Sequence, residues 1–529
     1  MSELEREILR RRTFAIISHP DAGKTTMTEK ILLHGGAINI AGAVHGKKTS
    51  KVTVSDWMKI EQERGISVST SVMNLDYDNF CINILDTPGH ADFGEDTYRT
   101  LTAVDNALML IDNAKGVETQ TKKLYEVCRL RHIPLYTFIN KMDRNGRSNI
   151  ELLDEIEKLL NVDCFPVTWP IGSGDSFKGV YDRINRKIHL YSSAKTFKTL
   201  NSFKVTTLDD PEIRELINDD HALDQFLDEM ELMEGMMQTY DLEAFLKGKV
   251  TLVFFGSAQY DFGIDLFLNH FINTSSAPLA RNTSEGSIEP IDQNFSGFVF
   301  KIQANLDKNH RDRLAFVRII SGKFERGMNV THARLNLQMN LKYSHQFFAN
   351  KRETAETAYA GDIIGIHEPG NLQIGDTLYQ NKRVVFEKIP SFPPELFAKI
   401  QILDLWKRKQ LSKGIQQLCE EGTIQKFIDP SIGDQDPILA AVGQLQFEVL
   451  IYRLQEEYGV SARIIKLALT CARWIERKNP QLNLPITGNI LLYEDIYKRP
   501  VALFENQWNL NWVIEKNPEI VFHEIAPII

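Results

Sequence analysis

Ser18-His19-Pro20-Asp21-Ala22-Gly23-Lys24-Thr25 follows the apolar run Phe14 to Ser18 and opens a stretch of helical composition, Thr25 to Leu33. Glycine, lysine and a hydroxyl residue at a strand-to-helix turn make a phosphate loop. Backbone N–H groups from Asp21 to Thr25 can ring phosphate oxygens, and the N-terminus of the following helix adds positive potential. Lys24 then bridges the terminal phosphates of a nucleoside triphosphate, and the Thr25 hydroxyl suits Mg²⁺, whose octahedral shell is completed by phosphates and water. Such loops usually begin with glycine. Ser18 stands there instead, which implies strain of about 1 kcal/mol if that position needs a positive φ.

Three further segments occur downstream in fixed order. Asp86-Thr87-Pro88-Gly89-His90 closes the apolar run Cys81 to Leu85. A carboxylate at the end of such a strand needs a cation, and the outer shell of Mg²⁺ supplies one. Gly89 lets a backbone N–H approach the γ-phosphate, and His90 is placed to orient an attacking water. Asn140-Lys141-Met142-Asp143 follows the strand Leu135 to Ile139. Asn140 and Asp143 decide the base: a carboxylate accepts from guanine N1–H and the 2-amino group, whereas adenine offers no such pair. Lys141 lays its stem along the sugar and base. Gly256-Ser257-Ala258, after Leu252 to Phe255, provides a backbone contact for guanine O6, so Ser257 and Ala258 join the site. Thr26 extends the phosphate loop, and Ser67 in Glu63-Arg64-Gly65-Ile66-Ser67 is the candidate second hydroxyl on Mg²⁺. GTP, GDP and Mg²⁺ are the implied ligands.

Apolar strands alternating with helical patterns near Thr97 to Val104 and Glu118 to Arg131 imply an α/β, doubly wound parallel sheet over residues 1–275. That rhythm breaks at about 172–249, which reads as an insertion, and 276–294 is rich in Ser, Thr, Pro and Gly and reads as a linker. Short strands and turns over 295–388 suggest a β-barrel. From 389 to 529, strands at Phe397 to Ile402, Ile438 to Ala441 and Val460 to Ile465 alternate with helices at Lys407 to Glu421 and Leu445 to Tyr458, an α+β domain with one ferredoxin-like half.

The 529 residues carry a net charge of −9, which argues against a sequence-independent grip on nucleic acid over the whole surface. Phosphate contacts are confined to patches such as Lys308 to Arg313 and Lys407 to Lys409. The five cysteines lack metal or redox spacing. No apolar run reaches the roughly 18 residues of a membrane span and no signal peptide is visible, so a cytoplasmic location without membrane contact is expected.

Arg64-Gly65-Ile66, the histidine after Asp-Thr-Pro-Gly and a β-barrel behind the nucleotide domain resemble the translational GTPases over the whole chain. The segments 96–105, 168–172 and 297–305 are similar to members that act in termination. This resemblance implies a ribosome-stimulated GTPase that dissociates class I peptide-chain release factors, with hydrolysis accompanying its own departure. It also implies that His90 is catalytic, that Pro20 and Ile66 form an apolar gate beside it, that ribosomal RNA acts on the site in trans, and that the chain is a monomer off the ribosome. Elongation factors usually carry His-Val-Asp-His or His-Ile-Asp-Ala in the loop, so Pro20 replaces an aliphatic residue, and most relatives carry Thr at the place of Ser67. Two alternatives are an elongation-type translocase, which would need further C-terminal domains, and a GTP-binding scaffold with little hydrolysis, against which Lys24, Thr25, Asp86 and His90 all stand.

Overall fold

Along Arg11–Ser18, Phe14 and Ile16 join one apolar cluster while Ala15 and Ile17 join another, as the two-residue period of an extended chain requires. All four are fully buried, so both faces of this strand are covered. A computed structural model describes residues 1–38, 58–191, 199–205, 208, 211–236, 240–283, 285–304, 313–348, 351–367, 370–387, 389, 391–478, 486–488 and 490–526.

The strand Arg11–Ser18 lies at the centre of the nucleotide-binding sheet, parallel to Phe80–Asp86 on one side and Asn106–Asp112 on the other. Leu135–Asn140, Val250–Phe255 and Asp163–Pro166 continue in parallel beyond Asn106–Asp112, and Ser71–Tyr77 pairs antiparallel with Phe80–Asp86. Helices Lys24–His34 and Ile264–Thr274 cover one face; Gly94–Leu101, Thr119–Leu130 and Asn149–Leu160 cover the other. Continuous apolar runs such as Leu108 to Ile111 follow from burial on both sides.

The insertion is a four-stranded antiparallel sheet built from Thr168–Ile171, Gly179–Asp182, Lys187–Tyr191 and Thr199–Lys204, followed by helices Pro211–Ile217 and Asp220–Met236. The stretch read as a linker is anchored. Ser276 bonds Asn106, Arg281–Thr283 pairs with Gly286–Ile288, and the Arg281 guanidinium lies 4.1 Å over the Phe298 ring.

Antiparallel strands from Ser296–Ala304 to Thr377–Tyr379 enclose an apolar core around Phe295, Val299 and Val317. Strands between 337 and 359 went unread because their short polar segments carry little apolar alternation. In the C-terminal part, Leu396–Ile402, Arg408–Glu420, Gln425–Asp429, Gly433–Ala441, Gln444–Tyr458 and Ala462–Lys466 run strand, helix, strand, strand, helix, strand, a ferredoxin-like order. A second half, missed in the sequence, extends the same sheet through Leu491–Asp495, Pro500–Phe504, Cys471–Arg477 and Ile520–His523.

Buried ion pairs join barrel and nucleotide domain. Arg318 donates to Asp105 at 2.5 Å and to the Thr13 hydroxyl at 2.6 Å, and Arg11 pairs with Asp362 at 3.1 Å. Removing one partner of such a pair leaves an uncompensated buried charge. Asp105→Ala is therefore expected to destabilise the chain by about 3–5 kcal/mol, whereas Asp105→Leu with Arg318→Met recovers most of that loss. Urea unfolding followed by tryptophan fluorescence checks both; equal stability of Asp105→Ala and the parent would show that the pair does not hold the domains together.

Candidate nucleotide site

The Arg11–Ser18 strand, the Lys24–His34 helix and the ends of three neighbouring parallel strands bring the separated segments to one cleft. Its walls include Ser18, His19, Pro20, Asp21, Gly23, Lys24, Thr25, Thr26, Ser67, Gly89, His90, Asn140, Lys141, Asp143 and Ala258. Ligands gather at the carboxyl ends of strands in open α/β sheets for this topological reason. Positive φ in the phosphate loop falls on Asp21 at 67° and Gly23 at 96°, not on Ser18, so the strain expected at Ser18 is absent and the turn is made three residues later. Aspartate tolerates the left-handed region better than most residues.

Asn140 is wholly engaged within the protein. Its Nδ2 donates to the Ala22 carbonyl at 2.8 Å, and its Oδ1 accepts from the Ala258 N–H at 2.8 Å. It ties the phosphate loop to the Ser257 loop, and Asp143 lines the same cleft. That carboxylate is buried at the cleft and accepts from the Ser257 hydroxyl. Ser257 thus positions Asp143 and does not line the cleft itself. Lys141 donates to the Asp21 carbonyl at 2.6 Å and to Asp112 at 2.7 Å. Burial opposes ionisation of Asp112, but the Lys141 ammonium and the Ala114 N–H outweigh it and hold the carboxyl below the usual range.

Lys24 pairs with Asp86 at 2.7 Å, both side chains buried, and lies 3.4 Å from the Ser67 hydroxyl. Thr87 donates to the Ile16 carbonyl at 2.7 Å, and Pro88 accepts from Thr97 at 3.1 Å. These two residues, with Ala22 and Met142, sit behind the cleft wall and brace it. A Cβ at Gly89 would meet the Pro20 nitrogen at 3.3 Å, so glycine permits the approach of that turn to the phosphate loop.

His90 is about 40% exposed, with Nδ1 accepting from the Asp92 N–H at 3.2 Å. Pro20 and Ile66 both line the cleft, and Ile66 packs beside Phe93 and Val449. Gly65 of the Arg64-Gly65-Ile66 motif also lines it, as do Arg144 and Gln259, which no motif marked. Arg144 and Gln259 each stand one residue past a recognised segment, which is the only signal the chain offered. Glu61 is fully buried and accepts from the N–H groups of Met58, Val68 and Ser69, pinning the segment that carries Ser67. Lys407 and Arg408 donate to the Gly459 and Gln435 carbonyls, while residues 308–312 of the other basic patch lie outside the described residues.

A phosphate loop, a strand-end aspartate with a following histidine, and a buried carboxylate for the base define a GTPase, and the barrel behind it makes it one of the translational type. Residues 9–277 match the Elongation factor Tu GTP binding domain, 294–381 Elongation factor G domain 2, and 386–514 the Class II release factor RF3, C-terminal domain. Proteins named Peptide chain release factor 3 from Cyanothece sp. and Gloeobacter violaceus are each 50% identical to it. The first match covers 100% of this chain and 97% of that protein, the second 99% of both. A crystal structure of a protein from Thermus thermophilus shares the fold, with a TM-score of 0.70 at 22% identity over 92% of this chain and 72% of that one. The chain belongs to the peptide chain release factor 3 family, translational GTPases acting in termination.

Gly23 fixes the fit of the loop to Asn140. A Cβ there would run into Asn140 Nδ2, and its φ of 96° disfavours any side chain. Gly23→Ala is expected to weaken GDP and GTP binding at least tenfold, about 1.4 kcal/mol, as read by titration of a fluorescent guanine nucleotide. An unchanged Kd would show that the Asn140 tie does not shape the phosphate loop.

Proposed function

We propose that this chain is a ribosome-stimulated GTPase that promotes dissociation of class I peptide-chain release factors, and that His90 orients the attacking water. The observation that carries this reading is the convergence of Lys24, His90 and Asp143 on one cleft in a chain of this family. Lys24 leaves Asp86 for the β- and γ-phosphates of GTP, and Asp86 would stand in the outer shell of Mg²⁺. Thr25 and Ser67 would hold Mg²⁺, and their neutral hydroxyls in a phosphate-binding cleft fit an ion that takes most ligands from phosphate and water. Bound there, Mg²⁺ would neutralise charge on the phosphate oxygens. Pro20 and Ile66 limit water access beside His90. Ribosomal RNA and proteins supply the trans-acting surface, in the cytoplasm, to a chain that is monomeric when free. We assign residues 1–275 to nucleotide binding with an insertion at about 172–249, 276–294 to the connection, 295–388 to the barrel and 389–529 to the C-terminal domain.

His90→Ala is expected to lower ribosome-stimulated turnover about 10²- to 10⁴-fold while nucleotide affinity stays within twofold. Phosphate release with ribosomes, and dissociation of a labelled class I factor from terminated ribosomes, read the two halves of the proposal. Parent-like turnover of the variant, or no acceleration of dissociation by the parent, would refute the corresponding half. Asp143→Asn replaces one acceptor oxygen by a donor, so affinity for GTP should fall about 100-fold and xanthosine triphosphate, with a carbonyl in place of the 2-amino group, should bind better than GTP. Competition titration decides it; undiminished preference for GTP would remove Asp143 from base recognition.

A further inference from the structure

Helix Gln444–Tyr458 of the C-terminal domain begins at Gly443, which has no side chain to cap its N–H groups. A carboxylate from the nucleotide domain does so instead. Asp92 Oδ2 accepts from the Leu445 N–H at 2.8 Å, the second helical position and the place an N-cap side chain serves. A Cβ on Gly443 would fall inside the Asp92 carboxyl group, although its φ of −144° would itself accept any residue. The neighbouring Phe93 is buried against Val449 of the same helix, with Leu445 beside it. The turn Ala91–Phe93, whose N-cap is His90, is thus clamped by the C-terminal domain.

Two groups of Asp92 compete for one nitrogen of His90. The Asp92 N–H donates to Nδ1 at 3.2 Å, and Oδ1 of the same residue lies 3.3 Å from Nδ1. With Oδ2 held by the Leu445 N–H, Oδ1 stands 3.3 Å from Nδ1 while the backbone N–H donates to that nitrogen, so in this docked geometry Nδ1 is an acceptor and a neutral ring carries its proton on Nε2. The hydrogen bond made by one ring nitrogen fixes the protonation of the other. We propose that Asp92 is a positioning residue through which docking of the C-terminal helix sets the tautomer of His90. When the helix leaves, the carboxylate accepts from Nδ1–H, the proton having moved from Nε2 to Nδ1 through solvent with no change in total protons. Nε2 then presents a lone pair to water in the cleft. The inference rests on the role given to His90 above, but its test reads the ring directly.

The 529-residue chain with bound GDP and ¹⁵N-labelled histidine, its His90 signals assigned by their loss in His90→Gln, provides the measurement. The parent is expected to give an acceptor-type Nδ1 and a protonated Nε2. Gly443→Ala should exchange the two, and should free the Leu445 amide to exchange with solvent. In Gly443→Ala with Asp92→Ala the exchange of roles should vanish. Leu445→Pro, which deletes the donor in a first turn that tolerates proline, serves if Gly443→Ala does not fold. Ribosome-free kcat should rise about tenfold in Gly443→Ala with KM for GTP unchanged, and not in the double variant. Unaltered ring nitrogens in Gly443→Ala or Leu445→Pro, a Leu445 amide still protected in Gly443→Ala, or an equal rise in the double variant would each overturn the proposal. A failed His90→Ala turnover test would instead remove the catalytic reading and leave the tautomer result standing.

Discussion

The side-chain amide of Asn140 is the constraint on which the cleft depends. It stands at the end of a parallel strand and joins two loops that leave other strands of the sheet, Arg11–Ser18 through the Ala22 carbonyl and Val250–Phe255 through the Ala258 N–H. Both bonds are buried, so losing either would leave an unpaired polar group rather than a solvated one. Gly23 is required because the amide passes where a Cβ would be. Phosphate recognition and base recognition therefore share one geometry, and neither loop can move far without the other.

Charge compensation works alongside that tie. Lys24 and Asp86 form a buried pair, and Lys141 and Asp112 a half-buried one. Each lysine is held at the cleft by a carboxylate that ends a strand, so its position is set by the sheet.

Chemistry-bearing segments and the parallel sheet were legible because close-packed apolar strands and phosphate loops tolerate few residue types. Met142, Thr87 and Ala22 lie inside recognised motifs yet serve as bracing, since a motif marks a stretch of chain and not which side chains face the ligand. Leu491–Asp495, though paired on both sides within its sheet, was invisible because its residues are largely exposed and lack a clean alternation. Glu61 and Asp92 gave no signal at all. Their partners are N–H groups up to about 350 residues away, as for Asp92 and Leu445, and only the folded chain brings them together.

Both outer domains grip the segments flanking the γ-phosphate position. From the barrel, buried Lys301 donates to the Ser69 hydroxyl and the Thr70 carbonyl. Burial depresses its proton affinity, while the charges of Asp96, Glu61 and Glu421 partly restore it, so the lysine is sensitive to the arrangement around it. From the C-terminal domain, Glu448 pairs with exposed Arg64 at 2.5 Å, a contact worth little by itself. Val449 does more, closing an apolar cluster with Met58, Ile60, Val68 and Phe93. A shift of the outer domains therefore acts on the segments that carry Ser67 and His90. Coupling of this kind is reciprocal by thermodynamic necessity: a surface that pulls the domains apart alters nucleotide affinity by the same factor with which nucleotide alters affinity for that surface.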